Sequence, residues 1–183
     1  GLMAEAELKL VHAKKHSEML VILLNDFSHL AEIVNLVLPL KPNSLECYDD
    51  KTLKLALKFF PEFAKKLGTR SVLTTAVQFL PELEMYANNN LPKLVMQVDF
   101  TGDNPQELEA KVQELQKKLG SFHPQTRVVR EEEEKKYWLI RRDSFGLLRS
   151  HIKEMYSSPF IDDIVVNPEH LPEFLPRFNE ILK

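Results

Sequence analysis

Residues 137–145 have the sequence YWLIRRDSF and contain the only tryptophan of the chain, Trp138. Trp138, Arg141 and Phe145 recur at steps of three and four residues, which places them on one face of a helix. A guanidinium group is therefore set into an otherwise aromatic stripe. Four consecutive glutamates at residues 131–134 favour a helix start, because the amino-terminal end of a helix attracts negative charge. This stretch predicts the long helix around which the second half of the chain is organised.

Two further elements follow this helix. Residues 160–167, FIDDIVVN, form a β-branched run that predicts a short strand. Residues 168–175, PEHLPEFL, then open a final helix with prolines near its start.

Apolar periodicity predicts the elements of the rest of the chain. Polar–apolar alternation over residues 3–11 predicts a half-buried strand, and the apolar run at residues 18–24 predicts a buried one. Further strands are predicted at residues 44–48, 94–100 and 126–130, and helices at residues 30–37, 53–63, 71–86 and 108–119. This order predicts an α+β fold: a ferredoxin-like, mostly antiparallel sheet, helices packed on one face, and a helical insert at about residues 51–90. The strand at residues 94–100 is expected inside the sheet, because its alternating apolar residues form a face that must be covered.

The bulk composition limits the function classes. The chain has 183 residues, enough for one domain, with 44% hydrophobic and 28% charged residues, as is ordinary for a globular protein. A net charge of −3 argues against nucleic acid as the main partner. No apolar run approaches the roughly 20 residues of a membrane span. The single cysteine, Cys47, excludes an intrachain disulfide, fits a cytosolic, reducing compartment, and is interpreted as a small core residue.

The histidines and glycines form no recognisable ligand-binding motif. The chain contains no His-Glu-x-x-His sequence, and no metal site is predicted within it. Only 5 glycines occur and they never cluster, whereas a dinucleotide pyrophosphate is usually held by a glycine-rich turn. If the protein works with a flavin, most of the flavin site is therefore expected on residues outside this chain.

The motifs of the carboxyl-terminal third resemble those of a known family. A Trp-x-x-Arg helix at residues 138–141, an acid followed by a valine-containing strand at residues 163–166, and a Leu-Pro-x-Phe helix start at residues 171–174 occur in this order. The succession resembles the C-terminal cap, or substrate, domain of FAD-linked oxidases, in the D-lactate dehydrogenase and glycolate oxidase branch of the vanillyl-alcohol oxidase superfamily. On this resemblance, residues 1–15 are the end of a flavin-binding domain or a linker, and residues 16–183 are the cap domain.

The resemblance implies a function for the chain. It implies a fragment, inactive alone, of an enzyme that oxidises a 2-hydroxy acid or related organic acid by hydride transfer to FAD. Arg141 is implied to bind the substrate carboxylate, Trp138 and Phe145 to line the pocket, and the FAD-binding domain of the same polypeptide to be the partner. The family's catalytic and metal-binding histidines come mostly from a downstream segment around a Gly-Asp-Gly-Asn motif. No catalytic, cofactor-binding or metal-binding residue is therefore assigned within this chain, and FAD is not expected to bind to it alone.

Two positions depart from the family pattern. Some 2-hydroxy acid dehydrogenases of this group have a threonine four residues after the arginine, where this chain has Phe145. They also have a lysine two residues before the acid of the next strand, where this chain has Ile161. These differences favour a bulkier or more apolar acid, or a lost activity.

Alternatives remain open from the residues alone. Spacing by itself favours a structural Arg141, paired with Asp163 or a nearby glutamate, over a substrate ligand. A stand-alone ferredoxin-like module that binds a ligand or a protein, without catalysis, would account equally well for the few glycines. A cytoplasmic location is expected, and peripheral membrane association of the whole enzyme is also open.

Overall fold

A four-stranded antiparallel sheet forms the centre of the protein. The computed structural model describes residues 3–62, 72–129, 132–151 and 164–181. In these residues the sheet has the order β2-β3-β1-β4, and every neighbouring pair is antiparallel. The strands are β1 (His16–Leu24), β2 (Ser44–Asp49), β3 (Leu94–Gly102) and β4 (Gln125–Val129).

Helices occupy most of the connections between the strands. They are α1 (Leu30–Val37), α2 (Asp50–Lys58), α3 (Val72–Ala87), α4 (Pro105–Leu119), α5 (Glu132–His151) and α6 (Leu171–Ile181), with 3-10 turns at Leu38–Leu40, Gly120–Phe122 and Pro168–His170. This architecture confirms the predicted α+β class and antiparallel sheet. The predicted strand at residues 94–100 is interior, as expected.

Local sequence explains where two of the helices begin. Asp49 caps α2, because its carboxylate accepts hydrogen bonds from the backbone N–H and the hydroxyl of Thr52, at 2.9 and 2.8 Å. Asn104 caps α4, because its side-chain oxygen accepts a hydrogen bond from the backbone N–H of Gln106 at 3.0 Å, and Pro105 follows at the first helical position. Pro81 lies inside α3, which continues through it to Ala87.

Helices cover both faces of the sheet, which corrects the prediction that they pack on one face. Alternate residues of a strand point to opposite sides. The residues Met19, Val21 and Leu23 of β1 pack under α2, α3 and α5. The residues between them, Leu20, Ile22 and Leu24, pack under α1 and α4. The physical reason is that β1 is apolar on both sides, so a sheet face without helices would expose a row of apolar side chains to water.

One predicted strand is not observed, and a second is described only in part. Residues 3–13 form no strand, and the large apolar side chains of Met3, Leu8, Leu10 and Val11 are exposed. Of the strand predicted at residues 160–167, residues 160–163 lie outside the described part of the chain, and residues 164–167 form no strand. Apolar alternation yields a strand only when a neighbouring strand satisfies its backbone hydrogen bonds.

Candidate functional site

The sheet face under α2, α3 and α5, here called the polar face, carries most of the interior polar groups. The strand register places Glu46, Gln97, Val21 and Arg127 directly opposite one another across the four strands. Directly opposite residues of an antiparallel sheet lie on the same face. A row that begins with a carboxylate on one edge strand and ends with a guanidinium on the other therefore runs beneath the helices.

Helix α5 is attached to this row at two points. The side-chain amide of Gln97 donates a buried hydrogen bond of 3.1 Å to the backbone carbonyl of Tyr137. One turn later, Nε of Arg141 donates to Oε2 of Glu46 at 2.9 Å. The Arg141 and Glu46 side chains are 48% and 35% exposed. The predicted substrate arginine therefore lies at the rim of the polar face, above the edge strand β2, and is paired with a glutamate.

A second, buried group of charges lies toward the opposite edge and is here called the Glu82 cluster. Glu82 of α3 accepts hydrogen bonds from Nζ of Lys136, Nη1 of Arg127 and the hydroxyl of Tyr137, each with an Oε1 distance of 3.1 Å. The Lys136 and Glu82 side chains are only 1% and 3% exposed. Nζ of Lys136 also lies 5.3 and 4.7 Å from the ring centroids of Phe79 and Tyr137. Burial lowers the pKa of Lys136 and raises that of Tyr137.

A third polar group lies at the end of the face where β2 begins. Asn43 donates its side-chain amide to Oδ2 of Asp99 at 3.0 Å and its backbone N–H to the Asp99 carbonyl at 2.7 Å. Oδ1 of Asp99 and the hydroxyl of Ser44, directly opposite in the sheet, are buried with no hydrogen-bond partner in the described structure. Burial raises the pKa of Asp99, because a charged carboxylate is costly to remove from water.

The structure locates the predicted site residues unevenly. Arg141 is at the rim, and Trp138 is partly buried against the core below α5. The side chain of Phe145, and all of Ile161 and Asp163, lie outside what the structure describes.

Sequence reasoning missed the side chains that hold α5 in place. In the described part of α5 the buried side chains are those of Glu134, Lys136, Tyr137, Leu139, Ile140 and Ser144, whereas Trp138 is only partly buried. Glu46 and Gln97 were not singled out, although each is a polar residue at an alternate position of a predicted strand. That alternation is the signal that could have marked them as members of one face.

Other candidate groups offer less chemistry. Burial raises the pKa of the Cys47 thiol to about 12, so at neutral pH it is protonated, and the partly buried side chain packs against the core. Among the residues described, no group of three histidine, cysteine, aspartate or glutamate side chains could hold a metal ion. No helix in the described ranges combines the length and apolarity that a membrane crossing requires.

Comparison with known proteins identifies the family. Residues 13–183 match the family described as "FAD linked oxidases, C-terminal domain", and the chain belongs to this family. A D-2-hydroxyglutarate dehydrogenase of Pseudomonas putida is similar, with 27% identity over 188 residues that cover 100% of this chain. The chain spans 17% of the length of that protein.

Two features of the described structure, a cavity and a closely approached glycine, do not fit the pyrophosphate of an FAD molecule. A cavity of about 420 Å³ between α4 and β4 is lined by three carboxylates, which would repel a phosphate group; they belong to Glu18, Glu109 and Glu133. Of the described glycines, Gly102 is the one closely approached, and a Cβ there would meet the side chain of Leu108 at 3.1 Å. Its lack of a side chain therefore serves packing and does not cradle a ligand.

Proposed function

We propose that this domain is the substrate-binding cap of an FAD-dependent oxidoreductase that acts on a 2-hydroxy acid or related organic acid. The observation that carries the proposal is Arg141, a guanidinium held at the exposed rim of the polar face. Family membership supports the FAD-linked chemistry, and the name of the Pseudomonas putida relative supports a 2-hydroxy dicarboxylic acid as the first substrate to test.

The role proposed for Arg141 is to bind and orient the substrate carboxylate. A planar guanidinium offers pairs of parallel N–H donors that match the two oxygens of a carboxylate. Within the described residues, the hydrogen bond to Glu46 uses only Nε, so the two terminal nitrogens remain for a ligand. Trp138, partly buried on the adjacent turn, would line the pocket together with Phe145.

The substrate specificity is proposed to differ from that of enzymes with three polar carboxylate ligands. Phe145 replaces a threonine of the resembled pattern and cannot donate a hydrogen bond. With fewer donors, the site would depend more strongly on Arg141 and tolerate a more apolar acid.

The flavin is proposed to be held mainly by a flavin-binding domain of the same polypeptide. Residues 3–11 support an arrangement of this kind, because their alternating apolar side chains are exposed and would be buried against another domain.

The sheet order, with β1 and β3 in the centre, supports the narrower assignment to the ferredoxin-like type. A cytoplasmic location agrees with a single, partly buried cysteine.

The test is oxidation of organic acids by the flavin-loaded protein that carries this domain. Reduction of a dye acceptor would be followed with D-2-hydroxyglutarate, D-lactate, glycolate and a longer apolar 2-hydroxy acid. We expect turnover with at least one of these acids, and none with the corresponding amides, which lack a carboxylate for Arg141. A protein that binds flavin but oxidises no acid, or oxidises the amides equally well, would contradict the proposal and favour the non-catalytic binding module.

A further inference from the structure

We infer that Glu46 is a positioning residue, which holds Arg141 through Nε so that its two terminal nitrogens face the substrate carboxylate. This inference rests on the proposed function of Arg141. It adds a residue from β2, which lies 95 positions away in sequence, to the carboxylate-binding site.

The hydrogen bond to Glu46 uses one of the two edges of the Arg141 guanidinium. An arginine can bind a carboxylate along either of two edges, one formed by Nε with a terminal nitrogen and one formed by the two terminal nitrogens. Oε2 of Glu46 lies 2.9 Å from Nε and so occupies the first edge. The second edge is the one left for a ligand.

The backbones of Glu46 and Arg141 are positioned by the sheet and by one hydrogen bond. Glu46 lies directly opposite Gln97 in the sheet, and Gln97 is bonded to the backbone of Tyr137, one turn before Arg141. Strand β2, which carries the glutamate, is paired with β3, and β3 is joined by this buried hydrogen bond to α5 one turn before the arginine. The strand pairing and this hydrogen bond bring the backbones of Glu46 and Arg141 close together. The two side chains can therefore pair even if the pair adds nothing to the stability of the fold.

Both side chains of the Glu46–Arg141 pair are partly exposed to solvent. Ion pairs between half-exposed side chains contribute little to folding stability. An arginine side chain, however, loses considerable rotamer freedom when it is fixed in one position. A pair that orders Arg141 before the ligand arrives removes part of that cost from the binding step.

A competing role for Glu46 predicts the opposite change in substrate affinity when Glu46 is removed. If Glu46 occupied the site as an internal substitute for the substrate carboxylate, the ligand would have to displace it. Removing Glu46 would then strengthen binding, whereas removing a positioning residue weakens it.

The test compares Glu46→Ala, Glu46→Gln and Arg141→Ala in the flavin-loaded enzyme, with D-2-hydroxyglutarate as the probe. We expect Glu46→Ala to raise KM by about three- to tenfold with little change in kcat, the effect of losing one pre-ordered side chain. Glu46→Gln should stay near the wild-type value, since its amide oxygen still accepts the Nε–H bond. Glu114→Ala, which removes the exposed pair with Lys118 on α4, is the matched control and should leave KM unchanged.

A second readout does not depend on turnover. In the isolated chain, the Nε–Hε resonance of Arg141 should be sharp in the wild type and in Glu46→Gln, and should broaden by faster solvent exchange in Glu46→Ala. A KM that falls or stays constant in Glu46→Ala would overturn the inference. If Arg141→Ala raises KM while Glu46→Ala does not, only the positioning role fails; if neither changes KM, the proposed function of Arg141 fails as well.

Discussion

The two faces of the central sheet are built from the same strands but by different physical means. The face under α1 and α4, here called the apolar face, joins β1 and β3 to the helices through aliphatic and aromatic side chains, with Glu18 at one margin. The polar face also contains apolar core residues, but a hydrogen bond joins β3 to α5, and ion pairs join β2 to α5 and β4 to α3. One sheet therefore carries a face that provides burial and a face that fixes positions.

The apolar face depends on surface removed from water. Leu108, Val112, Leu115 and Leu119 of α4 are all buried on it, at the spacing of one helix face. Burial of this kind is non-directional and scales with area, so it stabilises a helix without fixing any one atom. Volume-conserving substitutions are therefore tolerated best on this face.

The packing on the polar face depends on hydrogen bonds and ion pairs, which are directional. Each bond of the Glu82 cluster joins a particular donor to a particular oxygen, and a buried charge whose partner is removed is strongly destabilising. Such groups add little net stability over an apolar replacement. What they supply here is a defined placement of α5 over the sheet, and with it the placement of Arg141.

The largest expected effect is loss of the buried carboxylate of Glu82. Glu82→Ala removes the carboxylate that accepts hydrogen bonds from the almost fully buried Lys136, so the free energy of unfolding should fall by about 3–5 kcal/mol. Urea unfolding followed by circular dichroism measures this loss. Replacing both members of the Lys136–Glu82 pair, by Glu82→Met with Lys136→Met, should recover part of the stability, since Arg127 and Tyr137 still lose an acceptor. A double variant as unstable as the single one would contradict this description of the polar face.

The apolar face supplies the comparison for that experiment. Leu115 is fully buried, and Leu115→Ala should cost about 2–5 kcal/mol by leaving a cavity. Leu115→Met, which keeps the volume, should cost less than about 1.5 kcal/mol. In contrast, Glu82→Gln keeps the shape but removes the charge, and it should cost nearly as much as Glu82→Ala. Equal tolerance of shape-conserving changes on both faces would break the distinction between them.

A smaller effect is expected at Asp99, and it depends on pH. Because burial raises the pKa of Asp99, the folded state is destabilised by the ionised carboxylate, and stability falls as the pH rises from below 3.8 through the raised pKa. Asp99→Asn removes this charge, so thermal unfolding at pH 7 should show a gain on the order of 1 kcal/mol. Below pH 3.8 the gain should disappear, because both side chains are then neutral.

Asp103 is the matched control for the pH experiment. It is exposed and bonded to Lys14, which holds its pKa below the ordinary value. Its small contribution to stability is present above pH 3.8 and is lost as the pH falls through the lowered pKa. Asp103→Asn should therefore change stability in the opposite direction, and a gain of equal size in both variants would show that the effect at Asp99 does not come from burial.

Sequence patterns predicted the elements of the apolar face well. The spacing of Leu108, Val112, Leu115 and Leu119 fixed both the helix and its buried side, and the apolar run at residues 18–24 fixed β1. These signals are local, because burial of a whole stripe leaves a regular period in the sequence.

The polar face could not be predicted in the same way. Lys136 meets Glu82 across 54 residues, and Arg141 meets Glu46 across 95. Such pairs leave no period, since each requires only one residue on each element. The coverage of both sheet faces was missed for a related reason: periodicity shows that a strand is apolar on both sides, but the tertiary arrangement decides which helix covers which side.

The most direct test of the account is a paired measurement on Arg141→Ala, with Arg142→Ala as the control. The account places Arg141 at an exposed rim, so its removal should change the free energy of unfolding by less than about 1 kcal/mol. In the flavin-loaded enzyme, the same variant should lose about 1.5–3 kcal/mol in kcat/KM, the worth of a charge-assisted contact. Arg142, which is more exposed and pairs with the neighbouring Asp143, should show neither effect. A large loss of folding stability in Arg141→Ala, with kcat/KM unchanged, would show that Arg141 belongs to the structural part of the polar face and would contradict its role in binding substrate.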